Sequence, residues 1–168
     1  MKKTLIVIDM QNDFIDGALG TKEAQVIVPN VKKKIEEYNA RGDEIIFTRD
    51  THFEEYLETN EGKHLPVKHC ILNTQGWQIA DGLEVENCGY IDKPTFGWRY
   101  WNNHDFEEVE LVGLCTDICV VSNALILKAT FPEINITVDA SCCAGFTTES
   151  HKAALNTMKM CQINVIGE

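Results

Sequence analysis

The sequence predicts an α/β fold built on a parallel sheet. Three observations lead to this prediction: six short apolar segments rich in β-branched residues, helical patterns between several of them, and a length of 168 residues. Strands that alternate with helices form a parallel sheet with right-handed crossovers and helices on both faces. The apolar fraction of 44% and the charged fraction of 24% are typical of globular proteins. We therefore expect one domain over residues 1–168, large enough for a hydrophobic core.

Six segments have the composition of strands. The first, TLIVIDM (4–10), is a continuous apolar run, which is typical of a strand buried on both faces. The second is EIIFTRD (44–50), and the third is the shorter CGYIDKP (88–94). The last three are VELVGL (109–114), INITVDA (134–140) and INVIG (163–167).

Three segments have helical spacing, at 23–41, 116–129 and 147–161. The first carries an apolar stripe on one face, and Gly42 ends it. Pro29 lies inside this segment, and proline disrupts helix interiors. The sequence therefore predicts that the first helix is in two pieces or begins late.

The carboxyl ends of the predicted strands carry polar residues. Asp9, Asp50 and Lys93 end the first three strands, and the turn GLCTDIC (113–119) follows the fourth. In a parallel sheet these ends meet at one edge, where ligands bind. Residues 51–75 read as a long loop beside this edge, and loops of that length are usually functional. We expect the functional site here.

Charge and cysteine content limit the partners and the compartment. The net charge of −11 argues against nucleic acid and anionic membrane surfaces, so we expect neither as a partner. The start, MKKTLIVIDM, resembles a signal peptide but turns acidic at Asp9 without a cleavage site, and we expect a cytoplasmic protein. The odd count of seven cysteines then predicts reduced thiols rather than disulfides.

The stretch GLCTDICV (113–120) holds two cysteines that allow three interpretations. Free cysteine is among the most buried residue types, so packing is the ordinary role. A structural zinc site is disfavoured, because no Cys-x-x-Cys pair accompanies them. The third interpretation is a nucleophile. We assign packing to the other five cysteines: Cys70, Cys88, Cys142, Cys143 and Cys161.

The nucleophile interpretation has a physical mechanism. A helix that begins after Cys115 places Cys119 in its first turn, where N–H groups and the helix dipole stabilise a thiolate. Lys93 nearby would lower the pKa of the thiol further. Asp9 could take the thiol proton and return it to a leaving group. Cys115 is better placed to donate its backbone N–H to an oxyanion than to attack.

A second cluster raises the question of a metal. Asp50 and His52 lie two residues apart at a strand end, and His69 returns from the long loop. Two imidazoles and a carboxylate suit zinc or iron with open positions for water or substrate. The alternative is a pair of surface histidines beside an acidic loop. His64 is an extra imidazole that could replace His69 as a ligand.

Three motifs together resemble one family: IDMQNDF (8–14), DKPTFGW (92–98) and GLCTDICV (113–120). They are similar to those of the isochorismatase-like cysteine hydrolase superfamily, which includes nicotinamidases, and they follow in order over nearly the whole chain. The resemblance implies a Rossmann-like three-layer sandwich with a six-stranded, mainly parallel sheet. Since relatives are commonly oligomeric, it also implies a homo-oligomer.

The resemblance assigns roles to particular residues. It implies a catalytic triad of Asp9, Lys93 and Cys119, and a cis peptide bond between Leu114 and Cys115. The N–H groups of Cys115 and Cys119 would form the oxyanion hole. Phe14 matches an aromatic residue of the family's substrate pocket.

The resemblance also implies a metal and an activity. Asp50, His52 and His69 match the residues with which nicotinamidases hold a divalent metal, which we expect to be zinc or iron. The implied activity is a cysteine amidohydrolase that converts nicotinamide and water to nicotinate and ammonia through a thioester. The alternatives are hydrolysis of another small amide or carbamoyl compound, and a non-catalytic member.

The long loop departs from the nicotinamidase pattern. Thr51 stands where a Trp is usual, and Tyr56 lies near the place of a missing second His. LPVK (65–68) replaces a Trp-Pro before the His-Cys pair, so the usual stacking aromatic is absent. These departures keep the alternative substrates open.

Overall fold

Six parallel strands form one sheet in the computed structural model, which describes residues 2–168. The strands are β1 (Lys3–Ile8), β2 (Glu44–Asp50), β3 (Gly89–Lys93), β4 (Glu108–Leu114), β5 (Asn135–Ala144) and β6 (Asn164–Ile166). Their order across the sheet is β3-β2-β1-β4-β5-β6, and every neighbouring pair is parallel. The predicted α/β fold and its six strands are confirmed.

Helices cover both faces of the sheet. They are α1 (Asn12–Ile15), α2 (Lys22–Arg41), α3 (Asn60–His64), α4 (Val121–Thr130) and α5 (Thr148–Met160). Alternate residues of β1 enter different cores: Leu5 and Val7 pack in the core that α2 covers, whereas Ile6 and Ile8 pack in the core that α4 and α5 cover. This arrangement is the predicted three-layer sandwich. Within residues 2–168, none of the helices combines the length and apolar character needed to cross a membrane.

Helix α2 is continuous through Pro29, so the predicted break or late start is wrong. Pro29 lies on the exposed side, where water can bond the carbonyl that lacks its helical donor. The opposite side packs against the sheet through five buried residues: Ala24, Ile27, Val31, Ile35 and Tyr38. That packing outweighs the local disruption. Gly42, with φ of 73°, ends the helix as predicted.

Strands β1 and β4 lie close together because residue 113 is glycine. Gly113 pairs with Ile8 and has φ of 120°, a conformation that favours glycine. A Cβ atom at this position would lie 2.1 Å from the Ile8 carbonyl oxygen. Any side chain here would therefore push the two strands apart.

Strand β5 is longer than predicted, because it continues to Ala144 across an irregularity in its pairing with β4. Cys142 and Cys143 therefore lie within the strand, and both are buried. All seven cysteines are free thiols, as predicted. The packing prediction fails for Cys161, which is exposed at the end of α5.

Candidate active site

The carboxyl edge of the sheet brings together the residues that the sequence placed there. Asp9 directly follows β1, and Cys115 directly follows β4, its neighbour. Asp50 and Lys93 end β2 and β3 and stand opposite each other in the strand register. Four sequence-distant segments thus supply side chains to one edge.

Lys93 joins Asp9 to Cys119 in the interior. Its Nζ atom lies 2.6 Å from Asp9 Oδ2 and 3.6 Å from Cys119 Sγ. The ammonium also donates to the carbonyl oxygen of Thr95 at 3.1 Å. Asp9 and Lys93 are 0% exposed and Cys119 is 5% exposed, so water screens these contacts little.

Asp9 is held in place by Thr48, which the sequence analysis did not single out. The Thr48 hydroxyl donates to Asp9 Oδ1 at 2.6 Å, and the Asp9 N–H donates to the Thr48 carbonyl at 3.2 Å. Thr48 is paired with Ile8, the residue before Asp9, which explains its reach. The signal in the sequence was a polar residue directly after the apolar run 45–47 of β2. Asp9 itself has φ of 48°, in the left-handed region.

Burial reverses the prediction for the thiol pKa. It raises the pKa of Cys119 well above its usual range, and the opposing effect of Lys93 does not compensate. The negative charges of Asp9 and Asp50 raise it further. Cys119 is therefore a neutral thiol at neutral pH, whereas the sequence predicted a stabilised thiolate.

Burial also acts on the two charged partners of Cys119. It raises the pKa of Asp9 above its usual range, although the Lys93 charge opposes this effect. For Lys93, burial lowers the pKa, but the negative charges around it, that of Asp9 foremost, outweigh burial and leave the pKa above its usual range. Lys93 therefore stays an ammonium group and stabilises negative charge on either neighbour.

The turn that carries Cys119 differs from the predicted first turn of an α-helix. The peptide bond between Leu114 and Cys115 is cis, which confirms the expectation from the resemblance. Residues Thr116–Val120 then form a π-helical turn before α4. The Cys115 carbonyl accepts bonds from the N–H groups of Ile118 and Val120, on either side of Cys119.

Asn123 fastens this turn to the segment after β3, and the sequence analysis missed it. Its Nδ2 group donates to the Cys119 carbonyl at 2.8 Å. Its Oδ1 atom accepts from the Trp98 N–H and from the Trp101 indole N–H, at 2.9 and 3.0 Å. Trp101 is fully buried in the core, so it is not an exposed wall of the pocket.

Two histidines and two carboxylates form the second cluster. The ligand atoms of Asp50, His52, Glu61 and His69 all lie within 4.8 Å of one another. His52 Nε2 is 2.9 Å from Asp50 Oδ2, and His69 Nε2 is 3.5 Å from the same oxygen. His69 Nδ1 bonds to the Val67 carbonyl at 2.8 Å, an arrangement that leaves Nε2 free to ligate.

This cluster fits a divalent metal. Its two imidazoles and two carboxylates are a donor set suited to zinc or iron. Asp50 Oδ1 is buried and lies 3.8 Å from the Lys93 ammonium, whereas Oδ2 lies beside both histidine Nε2 atoms and is the oxygen placed to ligate. His64 is not part of the group: its ring is exposed and bonds to the Asn60 carbonyl.

Glu61 is the member that the sequence did not predict. It lies on the short helix α3, inside the segment that read as a loop, among several other acidic residues without distinctive spacing. Tyr56, expected near the missing second His, packs its ring 4.7 Å from that of His52 and 5.0 Å from that of His69. Its hydroxyl donates to the Leu65 carbonyl, pointing away from the ligand atoms.

A narrow apolar pocket connects the two clusters. Cys119 lines it, as do Asp50, Glu61 and His69. Its apolar walls include Phe14, Leu65, Phe96, Ile118 and Phe146. Phe14 lies where the resemblance expected it, with its ring 5.5 Å from that of His69. Leu65, from the LPVK segment, contributes an aliphatic wall.

Comparisons with known proteins support the fold and indicate a family. A family model described as the isochorismatase domain matches residues 3–167. A probable inactive nicotinamidase of Arabidopsis thaliana is 30% identical, over 92% of this chain and 87% of its own. The crystal structure of nicotinamidase PncA from Bacillus subtilis superposes with a TM-score of 0.86 at 26% identity, covering 99% of both chains. The zinc complex of pyrazinamidase from Pyrococcus horikoshii does so with a TM-score of 0.86 at 26% identity, covering 100% of both.

Proposed function

Because the chain belongs to the isochorismatase family of hydrolases, we propose that it is a cysteine amidohydrolase that converts nicotinamide and water to nicotinate and ammonia. One observation carries the proposal: the Lys93 ammonium contacts both Asp9 and Cys119, and the thiol lines an apolar pocket. This arrangement provides a nucleophile, a proton acceptor and a buried cation in one place. Relatives and structural neighbours named as nicotinamidases support the choice of substrate.

The first half of the reaction forms a thioester. Cys119 Sγ attacks the carbonyl carbon of the amide while Asp9 takes the thiol proton. The backbone N–H groups of Cys115 and Cys119 hold the oxyanion of the tetrahedral intermediate. The carbon–nitrogen bond then breaks, and ammonia leaves with the proton from Asp9. Lys93 offsets the negative charge that passes between Asp9 and Cys119.

The second half of the reaction releases the acid. Asp9, ionised again, takes a proton from a water molecule that attacks the thioester carbonyl. The carbon–sulfur bond breaks, nicotinic acid leaves, and the thiol regains its proton from Asp9. The net change is one amide and one water converted to one acid and one ammonia.

We place a divalent metal, zinc or iron, on Asp50, His52, Glu61 and His69. Such a metal would act as a Lewis acid that binds a donor atom of the substrate, such as a ring nitrogen. Phe14, beside His69, and Phe96 would enclose an aromatic ring between the metal cluster and Cys119. The protein's own side chains thus orient the amide and exclude water.

Leu65 favours a second candidate, a small amide or carbamoyl compound other than nicotinamide. An aliphatic side chain lines the pocket from the segment in which nicotinamidases carry a stacking aromatic. Cys119, Asp9 and Lys93 would act in the same way on such a substrate. The two candidates therefore differ in the pocket walls and not in the chemistry.

Ammonia release tests the proposal. The purified protein, with its metal content measured, is assayed on nicotinamide, on pyrazinamide and on a panel of small amides and carbamoyl compounds. We expect release from nicotinamide that Cys119→Ala lowers by at least about 1,000-fold. Cys161→Ala, which changes an exposed cysteine, is the matched control and should leave the rate unchanged.

Each other outcome has a distinct meaning. Release from another amide but not from nicotinamide would support the second candidate. Full activity in the Cys119→Ala variant would refute the thioester mechanism. No release from any compound by metal-loaded, folded protein would favour a non-catalytic role for the chain.

A further inference from the structure

The turn after β1 contacts the backbone of Asp50 and of Cys70, the residue that follows His69. We infer that Gln11 and Asp13 are positioning residues that hold Asp50 and His69 in the geometry that binds the metal. The inference rests on the metal site of the proposed function. According to this inference, the short segment that supplies Asp9 also determines how tightly the metal binds.

Gln11 fixes the backbone of Asp50. Its Oε1 atom accepts from the Asp50 N–H at 2.7 Å, and its Nε2 group donates to the Asp50 carbonyl at 2.9 Å. The second hydrogen of that amide goes to the Trp77 carbonyl at 2.8 Å. Gln11 is completely buried. The side chain thus continues the pairing of β1 with β2 beyond its last backbone pair, Ile8 with Thr48.

Asp13 fixes the segment that carries His69. Its Oδ2 atom accepts from the N–H of Cys70 at 2.8 Å, and Cys70 has φ of 48°, in the left-handed region. Cys70 in turn accepts from the His52 N–H at 2.9 Å. The Asp13 carboxylate therefore holds Cys70, which follows His69 in the chain and is bonded to the backbone of His52. Through Cys70 it restrains the backbone at both imidazole ligands.

The loop at Gly76 packs so closely against the Asp13 carboxylate that no side chain would fit between them. A Cβ atom at Gly76 would lie 2.1 Å from Asp13 Oδ2, so the loop approaches the carboxylate as closely as a glycine allows. Phe14 follows directly and packs against the His69 ring. The turn therefore restrains the histidine from its backbone and from its ring face.

These restraints matter because the ligands come from separate segments. Asp50 and His52 lie at the end of β2, Glu61 on α3, and His69 in the loop beyond it. A metal binds tightly only when such ligands are held at fixed separations, and the loss of a partner that orients a ligand costs about 10- to 100-fold in metal affinity. Gln11 and Asp13 meet the requirement by anchoring two of the segments to β1.

The test is the zinc dissociation constant, measured by competition with a chromophoric chelator in the absence of substrate. We expect Asp13→Ala, which removes the acceptor of the Cys70 N–H, and Gln11→Glu to weaken zinc binding by about 10- to 100-fold. Asn12→Ala is the matched control: it removes a hydrogen bond from the same turn to the Gln75 carbonyl, away from the ligands, and zinc affinity should not change. The unfolding temperature of the zinc-free proteins is measured in parallel.

The outcomes separate this inference from the proposed function. Asp13→Ala supports positioning over general stability if it binds zinc more weakly while its zinc-free form unfolds at the same temperature as the Asn12→Ala control. Zinc affinity of Asp13→Ala equal to that of the control overturns the inference, and this variant decides the matter if Gln11→Glu does not fold. A wild-type protein that binds no zinc overturns both the metal site and this inference. Zinc binding without nicotinamide hydrolysis would contradict the proposed function alone.

Discussion

Asp50 and Lys93 stand opposite each other at the ends of β2 and β3, and their side chains also meet, with Lys93 Nζ 3.8 Å from Asp50 Oδ1. Asp50 faces the two histidines with its other oxygen. Lys93 faces Asp9 and Cys119. The pair therefore links the candidate metal cluster electrostatically to the candidate nucleophile. A change of charge in one cluster changes the electrostatic energy of the charged groups in the other.

Removal of Lys93 should move the acid limb of the pH–rate profile. In the proposed mechanism Asp9 accepts the thiol proton only when ionised, so kcat/KM should fall as the pH drops through the pKa of Asp9, which burial raises. Lys93 lowers that pKa, so Lys93→Met should shift the limb to higher pH and reduce the maximal rate. Lys34→Met removes another paired lysine, on Glu110 and Asp139, and should leave the limb in place. An unshifted limb in Lys93→Met would show that Asp9 is not the titrating base.

Cys119 should react slowly with iodoacetamide at neutral pH even in active enzyme. Burial raises the pKa of its thiol, and the thiolate is the reactive form. Labelling, followed by peptide mass spectrometry, should be slower at Cys119 than at the exposed Cys161 and should rise with pH. Asp9→Asn should speed it, because the Asp9 charge raises the pKa of the thiol. Rapid labelling of the wild type at pH 7 would contradict the neutral thiol.

Glu61→Gln should weaken metal binding, whereas His64→Ala should not. Both residues lie on α3, but only the Glu61 carboxylate reaches the cluster, 3.5 Å from His52 Nε2. We expect a loss of about ten-fold or more in zinc affinity for Glu61→Gln. The check is metal content after dialysis against a chelator of graded concentration. Loss of metal in His64→Ala instead would mean that the exposed imidazole turns inward to ligate.

Asp117→Asn should raise KM more than it lowers kcat. The two Asp117 oxygens accept from the Phe146 N–H, each at 3.1 Å, and Phe146 lines the pocket. If Phe146 moves away from the pocket, the substrate loses an apolar contact that stabilises its ground state and its transition state equally. One such contact changes KM by about 10-fold. Phe146→Ala should act in the same direction, and Met160→Ala, remote and exposed, should not. A fall in kcat at constant KM would place Asp117 in the chemical step.

The residues at the carboxyl edge of the sheet could be predicted from the sequence, because strand positions and strand direction alone determine which residues lie there. Apolar runs rich in β-branched residues locate the strands, and the parallel arrangement then places Asp9, Asp50 and Lys93 together whatever the loops do. The family resemblance adds the roles, since spacing alone leaves Cys119 and the histidines with ordinary alternatives. The roles themselves stay predictions until activity is measured.

Three features were out of reach of the sequence. Glu61 enters the cluster through a five-residue helix inside an acidic segment, where no periodicity distinguishes it from its neighbours. Thr48 and Asn123 act through side-chain hydrogen bonds that depend on register and on the turn before α4. The direction of the thiol pKa depends on complete burial, which outweighs a nearby cation whose presence the sequence did predict.

The backbone contact at Gly113 fixes one part of the candidate site in the main chain, whereas side chains that can be substituted form the rest. Because no side chain fits between Gly113 and Ile8, the separation of β1 and β4, and with it that of Asp9 and Cys115, is built into the main chain. The pocket walls are side chains of surrounding segments, among them Phe14, Leu65 and Phe146. Exchange of these walls can therefore alter which molecules the pocket admits, while the separation of Asp9 and Cys115 stays the same.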